Sequence, residues 1–156
     1  MLQTIAEKKG WIDGCHRLRD EALAALSDAD LGFSLGGSTL SLGALCREMG
    51  EVQMSYTRSF VDFRQDFSDR APDSAVTASV AALRAWFTDL DAAMQQAFEA
   101  LAEADLARMI DRGFPVTPVV QMDIYVQAVL IFLGKASVYL RAMGRPLSEN
   151  FIAWIG

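Results

Sequence analysis

The side chains with chemistry to offer gather in two stretches of this sequence. Glu48 and Glu51 stand three residues apart in LGALCREMGEVQMSY, a spacing that puts two carboxylates on one side of a helix. Gln121, Asp123, Tyr125 and Gln127 punctuate a second stretch, VVQMDIYVQAVLIFLGKASVYLRAM. Facing each other across a pocket, the two stretches would supply a sparse oxygen-rich set for binding a polar group or moving a proton. The plainer outcome is that Glu48 is a solvated helix charge, or pairs with Arg47 or Arg58, because ordinary ion pairs outnumber the perturbed carboxylates of active sites.

His16 is the one histidine of the chain and follows Cys15. Neighbouring residues on a helix point about 100° apart, so the imidazole is badly placed to take the proton of the adjoining thiol. It is expected at the surface or satisfied by hydrogen bonds. Cys15 and Cys46 sit within apolar periodic segments and read as small buried hydrophobes. Trp11, Trp86, Trp154, Tyr56 and Tyr139 recur at helical spacing and read as core. The sequence contains no glycine-rich phosphate loop, Ser-His-Asp arrangement or Cys-x-x-Cys pair, which leaves the common nucleotide, hydrolase and zinc-ribbon chemistries without support.

Four helices must position these groups. The apolar positions Ile5, Trp11, Ile12, Cys15, Leu18, Ala22 and Leu26 form one stripe and predict a helix over 4–26. Leu42, Leu45, Met49, Val52, Tyr56, Phe60 and Phe63 keep a seven-residue rhythm and predict a second over 42–63, entered through a Ser41 cap. Between Arg64 and Ala78 the periodicity fails and Pro72 intervenes, so a long connection is expected there, which lets the third helix run parallel to the second. Helix three, over 79–102, buries Leu83, Trp86, Phe87, Leu90, Met94, Ala97 and Leu101, with Arg84, Asp89, Asp91 and Gln95 on its outer face. Helix four, over 119–143, follows Pro118 in its first turn and Thr117 as cap. It carries apolar residues nearly all round, so one face lines a core and another needs a second cover, such as a second subunit. After Gly144 and Pro146, SENFIAWIG offers a Ser148 cap and an apolar helical tail that folds back. EALAALSDADL at 21–31 and EALAEADL at 99–106 echo each other where two long helices end.

With 156 residues, 52% of them hydrophobic, 4 Pro and 20 acidic against 14 basic residues, the chain fits a single all-α domain over 1–156 with one core. The net charge of -6 and the scattering of Lys and Arg disfavour a nucleic-acid surface. Gln121, Asp123, Gln127 and Lys135 interrupt the longest apolar run, so no membrane segment is expected. The opening MLQTIAEKKGW lacks a basic-then-apolar leader, and two cysteines set within apolar periodic segments suit a reducing cytoplasm.

Three motifs carry a family resemblance: LSDADL at 26–31, GSTLSLG at 37–43 and SVYLRAMGRP at 137–146. They resemble the end of helix one, the entry to helix two and the end of helix four in the DinB-like, or YfiT-type, four-helix bundles, a family of metalloenzymes. The resemblance implies an up-down-down-up bundle, commonly dimeric, with a pocket at one end. In its metal-bearing members one histidine from helix two and two from helix four, spaced His-x-x-x-His, hold a divalent ion for thiol-dependent transfer or isomerisation. The same motifs place Glu48, Ala128 and Phe132 at those three positions here. No metal of the family type and no other cofactor is therefore expected, with Glu51 and Tyr125 as secondary pocket residues. The expectation is a cytoplasmic homodimer that is non-catalytic or binds an apolar small ligand in a drier cavity. The alternative is a thiol-dependent transferase or isomerase using a remodelled pocket around Glu48, with or without a recruited divalent ion.

Overall fold

A computed structural model describes residues 1–71 and 73–156 of the chain; Pro72, part of the expected second connection, lies outside the described residues. Four long helices, α1 (Gln3–Ala24), α2 (Leu42–Asp62), α3 (Val80–Ala100) and α4 (Pro118–Ala142), form the body, and a short α5 (Glu149–Ile155) follows. The starts of α2 to α5 are fixed by side-chain caps, while α1 begins after Leu2 without one. Ser41, Ser79, Thr117 and Ser148 each accept a hydrogen bond from the backbone N–H three residues on, a feature that stabilises a helix by about 1 kcal/mol. Pro118 takes the first turn of α4, where its missing N–H costs nothing.

Residue pairs across the bundle give its direction. Lys8 bonds Asp123 near the starts of α1 and α4, while Asp30 and Arg145 meet just past their ends, so α1 and α4 run parallel. Trp86 lies on Gly50 and Phe98 on Phe60, which makes α2 and α3 parallel too. Gln121 at the start of α4 reaches Ser59 at the end of α2, and Arg19 of α1 reaches Asp91 of α3. The order is up-down-down-up, with the residue-63-to-79 connection crossing from one end to the other.

The core runs through α2 positions Leu42, Leu45, Cys46, Met49, Tyr56 and Phe60, and through every α3 residue expected there. Gly50 lets the Trp86 ring lie directly on the α2 backbone, since a Cβ at Gly50 would stand 2.2 Å from a ring carbon. On α4 the buried seam is Tyr125, Val129, Phe132, Leu133, Ala136 and Leu140, whereas Leu130 and Ile131 of the same apolar run are exposed. By length and hydropathy alone α4 could cross a membrane, yet it packs against α1 and α2 and buries a hydrogen-bonded Gln121. Trp11 and Trp154 depart from their expected core places: 59% and 60% exposed, they pack edge-on against each other between α1 and α5, 5.9 Å between centroids. The tail does fold back, with Phe151 buried against the bundle.

The connections hold structure that periodicity does not announce. The two echoed segments end in similar 3-10 turns at 28–32 and 103–107, where Asp30 and Asp105 accept from the backbone N–H groups of Ser27 and Ala102. A two-residue antiparallel ladder pairs β1 (Ile110–Asp111) with β2 (Pro115–Val116) just before α4.

Candidate functional site

Between α2 and α4 lies a pocket of about 240 Å³ walled by Leu45, Met49, Val52 and Tyr56 on one side and Ala128, Ile131 and Phe132 on the other, with Phe67 from the following loop. Glu48 and Lys135, both exposed, complete its lining. The three positions singled out through motif spacing, Glu48, Ala128 and Phe132, thus share one cavity. An adjoining hollow of about 310 Å³ continues past Leu45, Glu48 and Lys135 to Leu35, Leu40, Val138 and Tyr139. The walls are hydrocarbon and aromatic, with one carboxylate and one ammonium facing water.

Phe67 deserves its geometry. Its backbone is left-handed, φ 53°, a conformation that disfavours a bulky side chain by about 1–3 kcal/mol. It is held there by a hydrogen bond from its N–H to Ser55 Oγ (3.2 Å) and by edge-on packing against Tyr56, 6.0 Å between centroids. The ring consequently stands at the pocket, 46% exposed.

The other expected site residues do not join them. Glu51 pairs with Arg47 (3.0 Å) and accepts from the N–H of Ala71 (3.0 Å). Arg58, the other expected partner of Glu48, pairs with Asp69 instead. Asp123 is bound to Lys8, Gln127 faces solvent, and Tyr125 is fully buried in the core.

Tyr125 belongs to a buried polar network absent from the sequence expectations. His16 Nε2 lies 2.8 Å from the Tyr125 hydroxyl, and His16 Nδ1 lies 2.9 Å from Asp91 Oδ1. The same carboxylate accepts from Arg19 through Nη1 (3.0 Å) and Nη2 (2.7 Å) and from Gln53 Nε2 (2.8 Å). Arg19, 1% exposed, also spreads over the Phe87 ring, 4.3 Å from its centroid. Burial works to raise the Asp91 pKa, but hydrogen bonds and charge from His16 and Arg19 overcome it and hold the carboxyl well below the usual range. Asp91, expected on the outer face of α3, instead fastens α3 to α1 and α2. His16 is satisfied, as one of its two expected places had it.

An Asp–His–Tyr chain has the order of a proton relay, but its end is sealed. Burial pushes the Tyr125 hydroxyl well above its ordinary pKa, and no solvent reaches it. Burial likewise raises the Cys15 thiol and pushes that of Cys46 up to about 12 despite the charge of Arg19. Neither thiol is set up as a nucleophile.

A second polar cluster lies where α2, its following loop and β1 meet α4. Gln121, fully buried, donates from Nε2 to Ser59 Oγ (2.9 Å) and Gln65 Oε1 (2.8 Å), and its Oε1 accepts from Arg112 Nη1 (3.0 Å). The same Arg112 nitrogen reaches the Tyr56 hydroxyl at 3.5 Å.

The pocket's donor set does not fit an ion held by three imidazoles. Glu48 supplies one solvated carboxylate, while a methyl group and a phenyl ring have no lone pair to give. Among the described residues no group of three or more His, Cys, Asp or Glu side chains is placed to hold a metal.

The chain is thus an antiparallel pairing of two parallel helix pairs, closed by a short tail and carrying an apolar pocket between α2 and α4. Among solved structures it is similar to a DinB-like protein, YjoA of Bacillus subtilis, with a TM-score of 0.71 over 93% of this chain and 94% of that one at 14% identity. The fold is DinB-like. At that identity the likeness is one of fold and carries over no site. No protein-family model and no curated protein matches the sequence.

Proposed function

We propose that this DinB-like bundle binds an apolar small molecule in the α2–α4 pocket and works without the family's metal. The observation that carries this reading is the lining itself: Ala128 and Phe132 face Met49, Val52 and Tyr56 where a metal centre would need nitrogen donors. A pocket of about 240 Å³ falls below the lower bound of about 300 Å³ usual for ligand sites, and the adjoining hollow of about 310 Å³ extends it; such sites are mostly apolar with a few polar groups to fix orientation. Glu48, exposed at the pocket, makes no hydrogen bond to any described side chain, and general acid–base work needs an oriented group. That weighs against the transferase or isomerase alternative.

Calorimetric titration with 1-octanol tests the reading. Saturable binding to the wild type, lost in Ala128→Trp, supports it; binding unchanged by the substitution places the ligand elsewhere and overturns it. We also propose a cytoplasmic homodimer. Trp11, Leu130 and Trp154, all exposed, line a hollow of about 630 Å³ between α1, α4 and α5, the kind of apolar surface a second copy covers. Sedimentation equilibrium checks it: a wild-type dimer that Trp154→Glu dissociates is expected, and a monomer at high concentration contradicts it.

A further inference from the structure

The polar cluster beside the pocket carries an unbalanced set of donors. Arg112 forms no ion pair among the described residues: its Nη1 serves Gln121 and Tyr56, and its Nε is buried without an acceptor. The amide orientations around it are dictated. Because Gln121 Oε1 must accept from Arg112, its Nε2 must donate, which obliges Gln65 to present Oε1 to Gln121. Gln65, 6% exposed, is left with a buried Nε2 that has nothing to donate to. Buried donors without acceptors are rare and costly, and here one belongs to a guanidinium with no counter-ion among the described residues and the other to Gln65, joined to it through Gln121. The nearest acid in sequence, Asp111, is exposed and turned into the hairpin, where it accepts from the N–H of Gly113.

Tyr56 belongs to both the cluster and the apolar pocket, whose walls stop short of Arg112 and Gln65 themselves. One part of its side chain lines the pocket beside Phe67, and its hydroxyl lies 3.5 Å from Arg112 Nη1. We infer that the pocket's ligand is an amphiphilic monocarboxylate, whose hydrocarbon lies between α2 and α4 and whose carboxylate is received by Arg112 and Gln65. The free edge of the guanidinium, Nε with Nη2, matches the two oxygens of a carboxylate. Gln65 Nε2 supplies a third donor. Phe67, left-handed in backbone and exposed, lines the same pocket.

The inference rests on the apolar-pocket reading, and the experiment separates the two. Octanoate and 1-octanol, which share a chain length and differ in the head group, are titrated into the whole protein by calorimetry. Wild type is expected to bind octanoate about tenfold more tightly than octanol, as charge-assisted hydrogen bonds require. Arg112→Gln is expected to abolish that preference while octanol binding persists, which also shows the variant to be folded. Should Arg112→Gln fail to fold, Gln65→Leu carries the same comparison with a smaller expected loss. Octanol bound as tightly as octanoate, or a preference that survives both substitutions, overturns the carboxylate assignment and leaves the apolar pocket standing. Binding of neither probe sinks both.

Discussion

Arg19 and Asp91 form a two-point ion pair across the bundle, 3.0 and 2.7 Å between nitrogens and oxygens, with the arginine almost wholly buried and the carboxylate about one-third exposed. Removing Asp91 leaves the buried guanidinium of Arg19 with Asp20 as its remaining acid partner, 2.8 Å from Nη2. Asp91→Ala is expected to cost about 3 kcal/mol, the low end for a broken buried pair because Asp91 keeps some solvent. Urea denaturation measures it. Arg19→Met combined with Asp91→Ala should lose less than the two single losses added together.

The same pair sets a pH dependence. Asp91 has its pKa depressed in the folded protein, so its contribution is fully present above the usual carboxylate range, near pH 4, and is lost as pH falls through the folded value. Asp30, lowered chiefly by its hydrogen bond from Arg145, acts in the same direction. Denaturation midpoints followed downward from about pH 5 should fall, and should fall less steeply in Asp91→Asn. A midpoint that rises on acidification would contradict the assignment.

Two glycines should respond oppositely to alanine. At Gly50 the new methyl would stand 2.2 Å from Trp86, so the indole must leave its seat, at a cost of about 1–3 kcal/mol. At Gly10 the same atom meets nothing within 4 Å, and Gly10→Ala should stabilise α1 by about 0.5–1 kcal/mol. Thermal denaturation of the two variants gives the signs directly.

Metal content separates the proposed reading from its alternative. Protein purified without a histidine tag should contain far less than one equivalent of any transition metal. One equivalent that disappears in Glu48→Ala would establish a remodelled metal site and the enzymatic alternative with it.

Much of the bundle was legible because helix signals are local. The caps at Ser41, Thr117 and Ser148, and the stripe from Leu83 to Leu101, need only neighbours in sequence to be read. The polar networks needed partners many residues away. Arg19 lies on the same stripe as Ile12, Cys15 and Ala22, and Gln53 falls between Met49 and Tyr56 on the stripe of α2. A charge or amide at a core position was the available signal, yet periodicity treats it as an interruption. Asp91 carried an outward reading because nothing near it in sequence reveals Arg19 across the bundle. Glu48, Ala128 and Phe132 came together because motif spacing fixed their register on α2 and α4; Glu51 did not, since Arg47 and the loop at Ala71 draw it aside.

Methyl-resolved NMR of the protein titrated with 1-octanol tests the apolar pocket most directly. Saturable shifts are expected at the methyl groups of Ala128, Val52 and Ile131, with those of Val126 across α4 unmoved. Shifts centred on Val126 and Leu130, or none that saturate, would contradict it.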